Sequence, residues 1–433
     1  MNVHALDAGG HGIARNAEGK VVFVEGALGG ETVEARLTRE KPKFDQARAV
    51  EILQASSGRR TPPCPWYDNC GGCVIQHADA RTQVAAKQRW LEDCLERIGK
   101  VAPGSMLPPI YGPEWGYRHR ARLSVRYVEK KGGALVGFRE RRSTFVVDMQ
   151  SCEVLTPRVS ALIPALRALI GGLSFRERLP QVEVAVGEEA VVLVFRHLLP
   201  LQDEDRRRLR AFADAHALQV WLQPRGPDSV APFHPDPAPP LYYTLPEFGV
   251  RLAFLPTDFT QVNHAVNRVL VSRAVRLLDP QPGERVGDLF CGLGNFSLPL
   301  ATLGAQVIGI EGSKPLVERA RANALANGLT AQFEAGNLFE PNLAPLAPFD
   351  KLLLDPPREG AIEVAKSLPE DWPRRIVYVS CDAATLARDA GVLVNVKGFR
   401  LAAAGVVNMF PHTAHVESIA LFERGQRNWE AER

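Results

Sequence analysis

A chain of 433 residues exceeds one ordinary domain, so two or three are expected, and 45% hydrophobic with 23% charged residues marks a globular chain with material for real cores. A net charge of +3 excludes a bulk polycation, so any nucleic-acid affinity must reside in local patches. Met1–Gly10 does not read as a secretory leader, no apolar run approaches a membrane span, and seven cysteines fit thiols kept for metal or catalysis in a reducing cytoplasm better than a secreted disulfide framework.

Residues 1–55 read as short strands (HGIAR, KVVFVEG, ETVEARLTRE, FDQARAVEIL) punctuated by Gly9-Gly10 and Gly29-Gly30. Such spacing predicts a small antiparallel barrel of the OB type, a scaffold that often carries oligonucleotides. The loop TPPCPWYDNCGGC then brings Cys64, Cys70 and Cys73 together in a C-x5-C-x2-C pattern, with Cys152 as candidate fourth ligand. Four thiolates suit zinc or an iron–sulfur cluster, and the spacing does not separate the two. Ala80–Gly99 has helical periodicity through Val84, Leu91, Leu95 and Ile98, with Cys94 in the packing face and Gly99 as the stop.

Tyr117–Arg142 reads as a hairpin turning at KKGG. From Arg118 to Arg142 it holds nine Lys or Arg against two Glu, and Arg118, Arg120 and Arg122 share one strand face. That excess is read as a phosphate-binding surface rather than a merely solvated face. Residues 180–223 alternate strand and helix, Pro224–Pro240 with seven prolines is expected to be an irregular loop, and LYYTLPEFGVRLAFLP is hairpin-like. From about residue 256 the rhythm is regular β-α-β, which predicts a doubly wound α/β domain whose ligand lies at the carboxyl ends of its strands. The expected division is 1–55, 56–255 and 256–433, with helix 80–99 free to pack on the last unit.

Within the α/β domain, Asp288-x-Phe290-x-Gly292-x-Gly294 falls where a strand turns into a helix, and Glu311 follows Gly292 by nineteen residues at the next strand end. An acid there bonds the hydroxyls of a ribose. The third glycine of a dinucleotide fingerprint is replaced by Ser297. That favours S-adenosylmethionine, which has no pyrophosphate, and leaves NAD as the alternative. Asp355-Pro356-Pro357-Arg358 ends a further strand in a rigid turn, and Gln261 and Asn263 precede the domain within reach of the same pocket. In RRIVYVSCDAATLARD a buried strand ends at Cys381 and a helix opens with Asp382 as cap. A thiol in that position is expected to favour the thiolate, with core packing as the alternative.

The stretches DLFCGLGNFSLPLA, LLLDPPREGA, IVYVSCDAATLARD and FPHTAHVESIALF, with TDFTQVN before them, closely resemble the RNA uracil-C5 methyltransferases. The first barrel resembles a TRAM domain, and the cysteine set resembles the [4Fe-4S] ligands of the family's branch acting on 23S ribosomal RNA. The resemblance implies an α/β plus β protein: a C-terminal Rossmann-like methyltransferase domain, an N-terminal OB-like barrel and a central α+β domain carrying an iron–sulfur loop. It implies Cys381 as nucleophile and Glu417 as base. It places Gln261, Phe290, Asn295, Glu311, Asn337 and Asp355 around S-adenosyl-L-methionine and the target base, and a [4Fe-4S] cluster on Cys64, Cys70, Cys73 and Cys152. The implied partner is 23S ribosomal RNA, for a cytoplasmic monomer without an obligate protein partner. His412 and His415 are rival bases and Cys291 a rival nucleophile. The family often has SCNPATLARD where this chain has Asp382-Ala383, and the TRAM segment starts late, which predicts a short first strand. Two other readings remain. A cytosine-C5 methyltransferase would carry a second cysteine where Arg358 stands, and a module with a vestigial α/β domain would only bind RNA or sense redox state. The cluster, in this reading, is structural and staples the loop to the basic hairpin.

Overall fold

The computed structural model of the chain describes residues 1–341 and 348–424. The end of the predicted third unit, 425–433, lies outside them. Among the described residues no helix is long and apolar enough to cross a membrane.

Five strands form the first unit: Val3–Leu6, Gly12–Arg15, Val21–Glu25, Thr32–Glu40 and Phe44–Gln54. The fifth lies between the third and fourth. The first strand, only four residues long, turns back to the fourth through the Asn2–Thr32 bridge and Val3 N–H donating to the Glu31 carbonyl at 2.8 Å, which closes a barrel. Alternate residues such as Val22 and Val24 point inward and fill its small core, as the two-residue strand period requires.

The middle of the chain builds a six-stranded sheet. The basic hairpin is there but shorter than expected: Arg120–Val128 pairs with Gly133–Gly137, and the turn is the helical step Glu129–Lys131. Within the proline-rich stretch, Ala231–His234 is a strand paired with Gln219–Gln223, so that segment is not wholly irregular. Helix Pro157–Gly171 covers the sheet with Leu162, Leu166 and Ile170 against Val182 and Val184.

The last unit is an eight-stranded sheet in the spatial order Ala331–Ala335, Gln306–Glu311, Arg285–Leu289, Lys351–Leu354, Arg375–Ser380, Glu417–Arg424, Phe399–Val407 and Ser105–Met106. The first five run parallel, and Glu417–Arg424 is antiparallel to both neighbours. Alternation on Arg375–Ser380 explains the two covered faces. Val377 and Val379 pack with Val266, Leu270 and Val271 of helix His264–Leu278, while Ile376 and Tyr378 pack with Leu386, Ala390 and Leu393 of helix Ala383–Asn395.

The eighth strand comes from far upstream. Helix Ala80–Cys94 begins at Asp79, whose side chain accepts from Thr82 N–H, and passes into a wider turn over Leu95–Gly99. Leu91, Cys94 and Leu95 are buried against the face formed by Leu386 and Ala387. Ile98, expected inside, is 49% exposed, because the wider turn rotates it outward. The left-handed residue that ends the helix is Lys100, not Gly99. Gly99 serves close approach instead: a Cβ there would lie 2.4 Å from the Ala387 carbonyl oxygen.

Candidate active site

The parallel strands deliver Leu289, Glu311, Leu354 and Ser380 to one edge of the sheet, and the chemistry-bearing side chains sit on or just after them. After Leu289 the chain must reverse tightly, and Phe290, Gly292 and Gly294 all take positive φ (65°, 55° and 96°). The loop is aimed by Glu311. Its carboxylate accepts from Gly292 N–H at 3.1 Å and from Ser313 N–H at 2.8 Å. Asp288 is fully buried and accepts from the Ser297 hydroxyl, so the serine that replaces the third glycine has a structural partner. Burial pushes the Asp288 carboxyl up to about 7.

The other cofactor candidates divide. Exposed Asn337 folds its side chain back to accept from Phe339 N–H at 3.0 Å. The Phe339 ring, which sequence reading did not single out, is 49% exposed and stands edge-on to Phe290 at 6.0 Å. Asn295 has its amide engaged: its oxygen accepts from Tyr243 Oη and Asn267 Nδ2, both at 2.9 Å, and its nitrogen donates to Asn267 Oδ1 at 3.0 Å. It therefore shapes the loop from behind. Gln261 is buried in the turn before helix His264–Leu278. Asn263 caps that helix by accepting from Val266 N–H.

Cys381 and Glu417 meet through strand register. The antiparallel ladder pairs Val379 with Ile419 and Ser380 with Ser418, so the next position sets Cys381 across from Glu417. Cys381 is half-buried ahead of helix Ala383–Asn395, whose cap Asp382 accepts from Ala384 and Thr385 N–H at 2.9 Å each. The thiolate expectation is corrected here. Burial first, then the neighbouring Glu417 and Asp355 carboxyls, push the Cys381 thiol up to about 12, and Arg358 pulls it only partly back. The helix start is too weak a positive field to reverse this. Burial also pushes Glu417 up to about 7, with Lys87 drawing it down, and burial plus Glu417 hold Asp355 well above the usual carboxylate range.

Two of the rival groups are committed elsewhere. His412 stacks on Trp115 at 3.8 Å; its Nδ1 meets Gln83 Nε2 and its Nε2 meets the Glu114 carbonyl, each at 3.0 Å. Burial holds it down to about 4, so it is a neutral structural imidazole. Cys291 is buried in the core behind the glycine loop, where burial raises its thiol well above the usual range. His415 stands exposed beside Arg358, and partial desolvation, then the neighbouring Arg358 and Lys87 cations, lower its proton affinity.

Cys64, Cys70, Cys73 and Cys152 line one small cavity with Trp66, Gln76 and Phe138. Burial raises all four thiols, Cys73 to about 12 and Cys152 to about 11. Among the described residues, no group of three or more His, Cys, Asp or Glu is arranged to hold a single metal ion. The cysteine loop is tied to the chain after the hairpin, where Gly71 N–H donates to the Arg139 carbonyl at 2.9 Å and Arg141 donates to the carbonyls of Cys70 and Cys73 at 3.0 and 2.7 Å. The hairpin's basic face is less available than expected. Arg120 donates to the carbonyls of Asp258 and Pro256, both at 2.6 Å, and Arg122 pairs with Glu183 at 2.9 Å.

The tRNA (uracil-5-)-methyltransferase family model matches residues 81–333 and 345–425, and the TRAM domain model matches 2–50. A protein of Thiobacillus denitrificans named 23S rRNA (uracil(1939)-C(5))-methyltransferase RlmD is 64% identical over 429 residues, covering 98% of this chain and 99% of its own. One of the same name from Aromatoleum aromaticum is 58% identical over 428 residues, with the same coverage. In fold, the chain is similar to the Pyrococcus abyssi tRNA (uracil-54, C5)-methyltransferase solved with S-adenosyl-L-homocysteine: TM-score 0.75, 24% identity, covering 97% of this chain and 98% of that one. The chain therefore belongs to the tRNA (uracil-5-)-methyltransferase family and carries a TRAM domain at its N-terminal end.

Proposed function

We propose that the chain methylates C5 of a uracil in 23S ribosomal RNA, the activity its relatives' name states of them, with S-adenosyl-L-methionine as co-substrate. The observation that carries the chemistry is the register that sets Cys381 across from Glu417 at the carboxyl edge of the sheet, with Asp355 on the neighbouring strand end.

Uracil C5 is a weak nucleophile. In the proposed sequence the Cys381 Sγ forms a bond to C6 as its proton is lost to solvent, which leaves ionised Glu417 free to act as base in the later step. The adduct's enolate places negative charge on C5, which takes the methyl from the sulfonium. Glu417 then removes the C5 proton, the C6–S bond breaks, and the C5=C6 double bond is restored. The target base must leave its stack to reach this buried edge.

Glu311, with Phe290 and the Gly292–Gly294 turn, would hold the adenosine end of the co-substrate. Asn337, Gln261 and Asp355 complete the proposed pocket, with Asn295 supporting it. Four thiols around one cavity are a donor set that suits a [4Fe-4S] cluster, and the buried Trp66 Nε1, without a partner among the described residues, is a donor at that same cavity. Cys64, Cys70, Cys73 and Cys152 would hold the cluster, and its role is to rigidify. We read three units, 1–55, 56–255 and 256–433, with 80–110 as an arm laid on the last, in a cytoplasmic monomer.

The test is ribosomal RNA carrying 5-fluorouracil, in which fluorine replaces the proton that Glu417 must take. The wild-type protein is expected to form an adduct with it that survives denaturation, and Cys381→Ala none. Methylation of ordinary RNA by Cys381→Ala would overturn the reading. Mass analysis of the product nucleoside separates 5-methyluridine from 5-methylcytidine.

A further inference from the structure

One buried cation near this site has no part in the chemistry above. Lys87 lies on helix Ala80–Cys94 and is buried, and its Nζ donates to Asn408 Oδ1 at 2.9 Å and to the Phe410 carbonyl at 2.8 Å. Both acceptors belong to the loop between strands Phe399–Val407 and Glu417–Arg424, and Val407 is the ladder partner of Glu417. An apolar side chain would suit a buried helix face better, since an ammonium loses its hydration there. What Lys87 gains is a hold on both ends of that loop's first turn and proximity to a buried carboxyl.

We propose that Lys87 is the positioning residue of the base: its ammonium pins the start of the loop that leads into Glu417 and offsets the charge that Glu417 must carry to accept the C5 proton. The inference rests on the covalent reading above. The charges around it agree. Lys87 and Glu417 attract one another through space, and this attraction opposes the burial that drives Lys87 down to about 7 and Glu417 up to about 7. Other groups facing this region are His412 of the loop, held down to about 4 by burial, the exposed His415, whose proton affinity is lowered, Asp355 and Arg358 after the neighbouring strand, and Cys381 itself. Asp7 of the barrel stands across a space of about 20 Å³ lined by Lys87, Gln83, Trp90, Thr413 and Val416. That is room for roughly one water beside Lys87.

The experiment follows release of 5-methyluridine against pH, from about 6 to 9, together with the fraction of protein held as denaturation-resistant adduct on ordinary uracil RNA. Lys87→Met removes both the charge and the hydrogen bonds, Lys87→Gln keeps an amide donor without the charge, and Lys87→Arg keeps the charge. Without the charge, Glu417 ionises at higher pH. The Met and Gln variants are expected to release product about five-fold more slowly near pH 7, to accumulate adduct, and to recover as pH rises, with the midpoint displaced upward by about one unit. Lys87→Arg is expected to restore most of the rate. A purely structural role would lower the rate equally at every pH; that result in Lys87→Gln, or an undisplaced midpoint in both uncharged variants, overturns the inference. A wild-type protein that forms no adduct with fluorinated RNA overturns the covalent reading instead.

Discussion

Around Cys381, burial raises the proton affinity of the thiol and of the Asp355 and Glu417 carboxyls together. In the proposed reaction the arriving base, rather than a standing thiolate, would therefore start the chemistry. In the proposed sequence Glu417, as base, would set the pH dependence of the second half. With its carboxyl pushed up to about 7, proton removal should rise as pH increases through about 7 and level off above it. Glu417→Gln cannot accept the proton at any pH. Turnover is expected to fall by about 10²–10⁴, with methylated adduct persisting on denaturing gels. Cys381, Glu417 and Asp355 were legible as motif residues. The thiol's proton affinity was not, because it is set by burial together with groups from two distant segments, Asp355 and Arg358 in one and Glu417 in the other, and no local pattern around Cys381 reports them.

At the scale of elements, the parallel strands were plain from their apolar runs, and the positive-φ loop was plain from its glycines. Roles that depend on a distant neighbour were misread. Gly99 looked like a helix stop, yet its hydrogen is what lets the turn at Leu95–Gly99 touch helix Ala383–Asn395. Gly99→Ala should cost about 2 kcal/mol, read as a lowered denaturation midpoint, because the atom a Cβ would strike is backbone and cannot rotate away. Likewise Arg120 looked like a phosphate ligand, but the turn just before Gln261 supplies it with two carbonyls. Its charge is spent holding that turn against the central sheet.

Across the whole molecule, Arg141 ties the barrel to the central unit. It donates to the cysteine loop, pairs with Glu25 of the barrel at 3.1 Å and lies over the Tyr67 ring at 4.6 Å. The cysteine loop in turn touches the catalytic end: Val74 N–H donates to the His412 carbonyl at 2.8 Å, a few residues before Glu417. Cys152→Ser is expected to lower iron content, reduce the melting temperature by several degrees and weaken RNA binding together. Unchanged stability and RNA affinity in that variant would remove the stapling role.

Ser105–Met106 completes the far edge of a sheet whose other strands all lie downstream of residue 284. During synthesis the arm 80–110 leaves the ribosome long before Phe399–Val407 exists to receive it. At about 5–20 residues per second, the roughly 300 residues between them take roughly 15–60 s to make. For that interval Leu91, Cys94 and Leu95 have no face to cover them, so the newborn chain offers a sticky helix to chaperones until its last strands emerge.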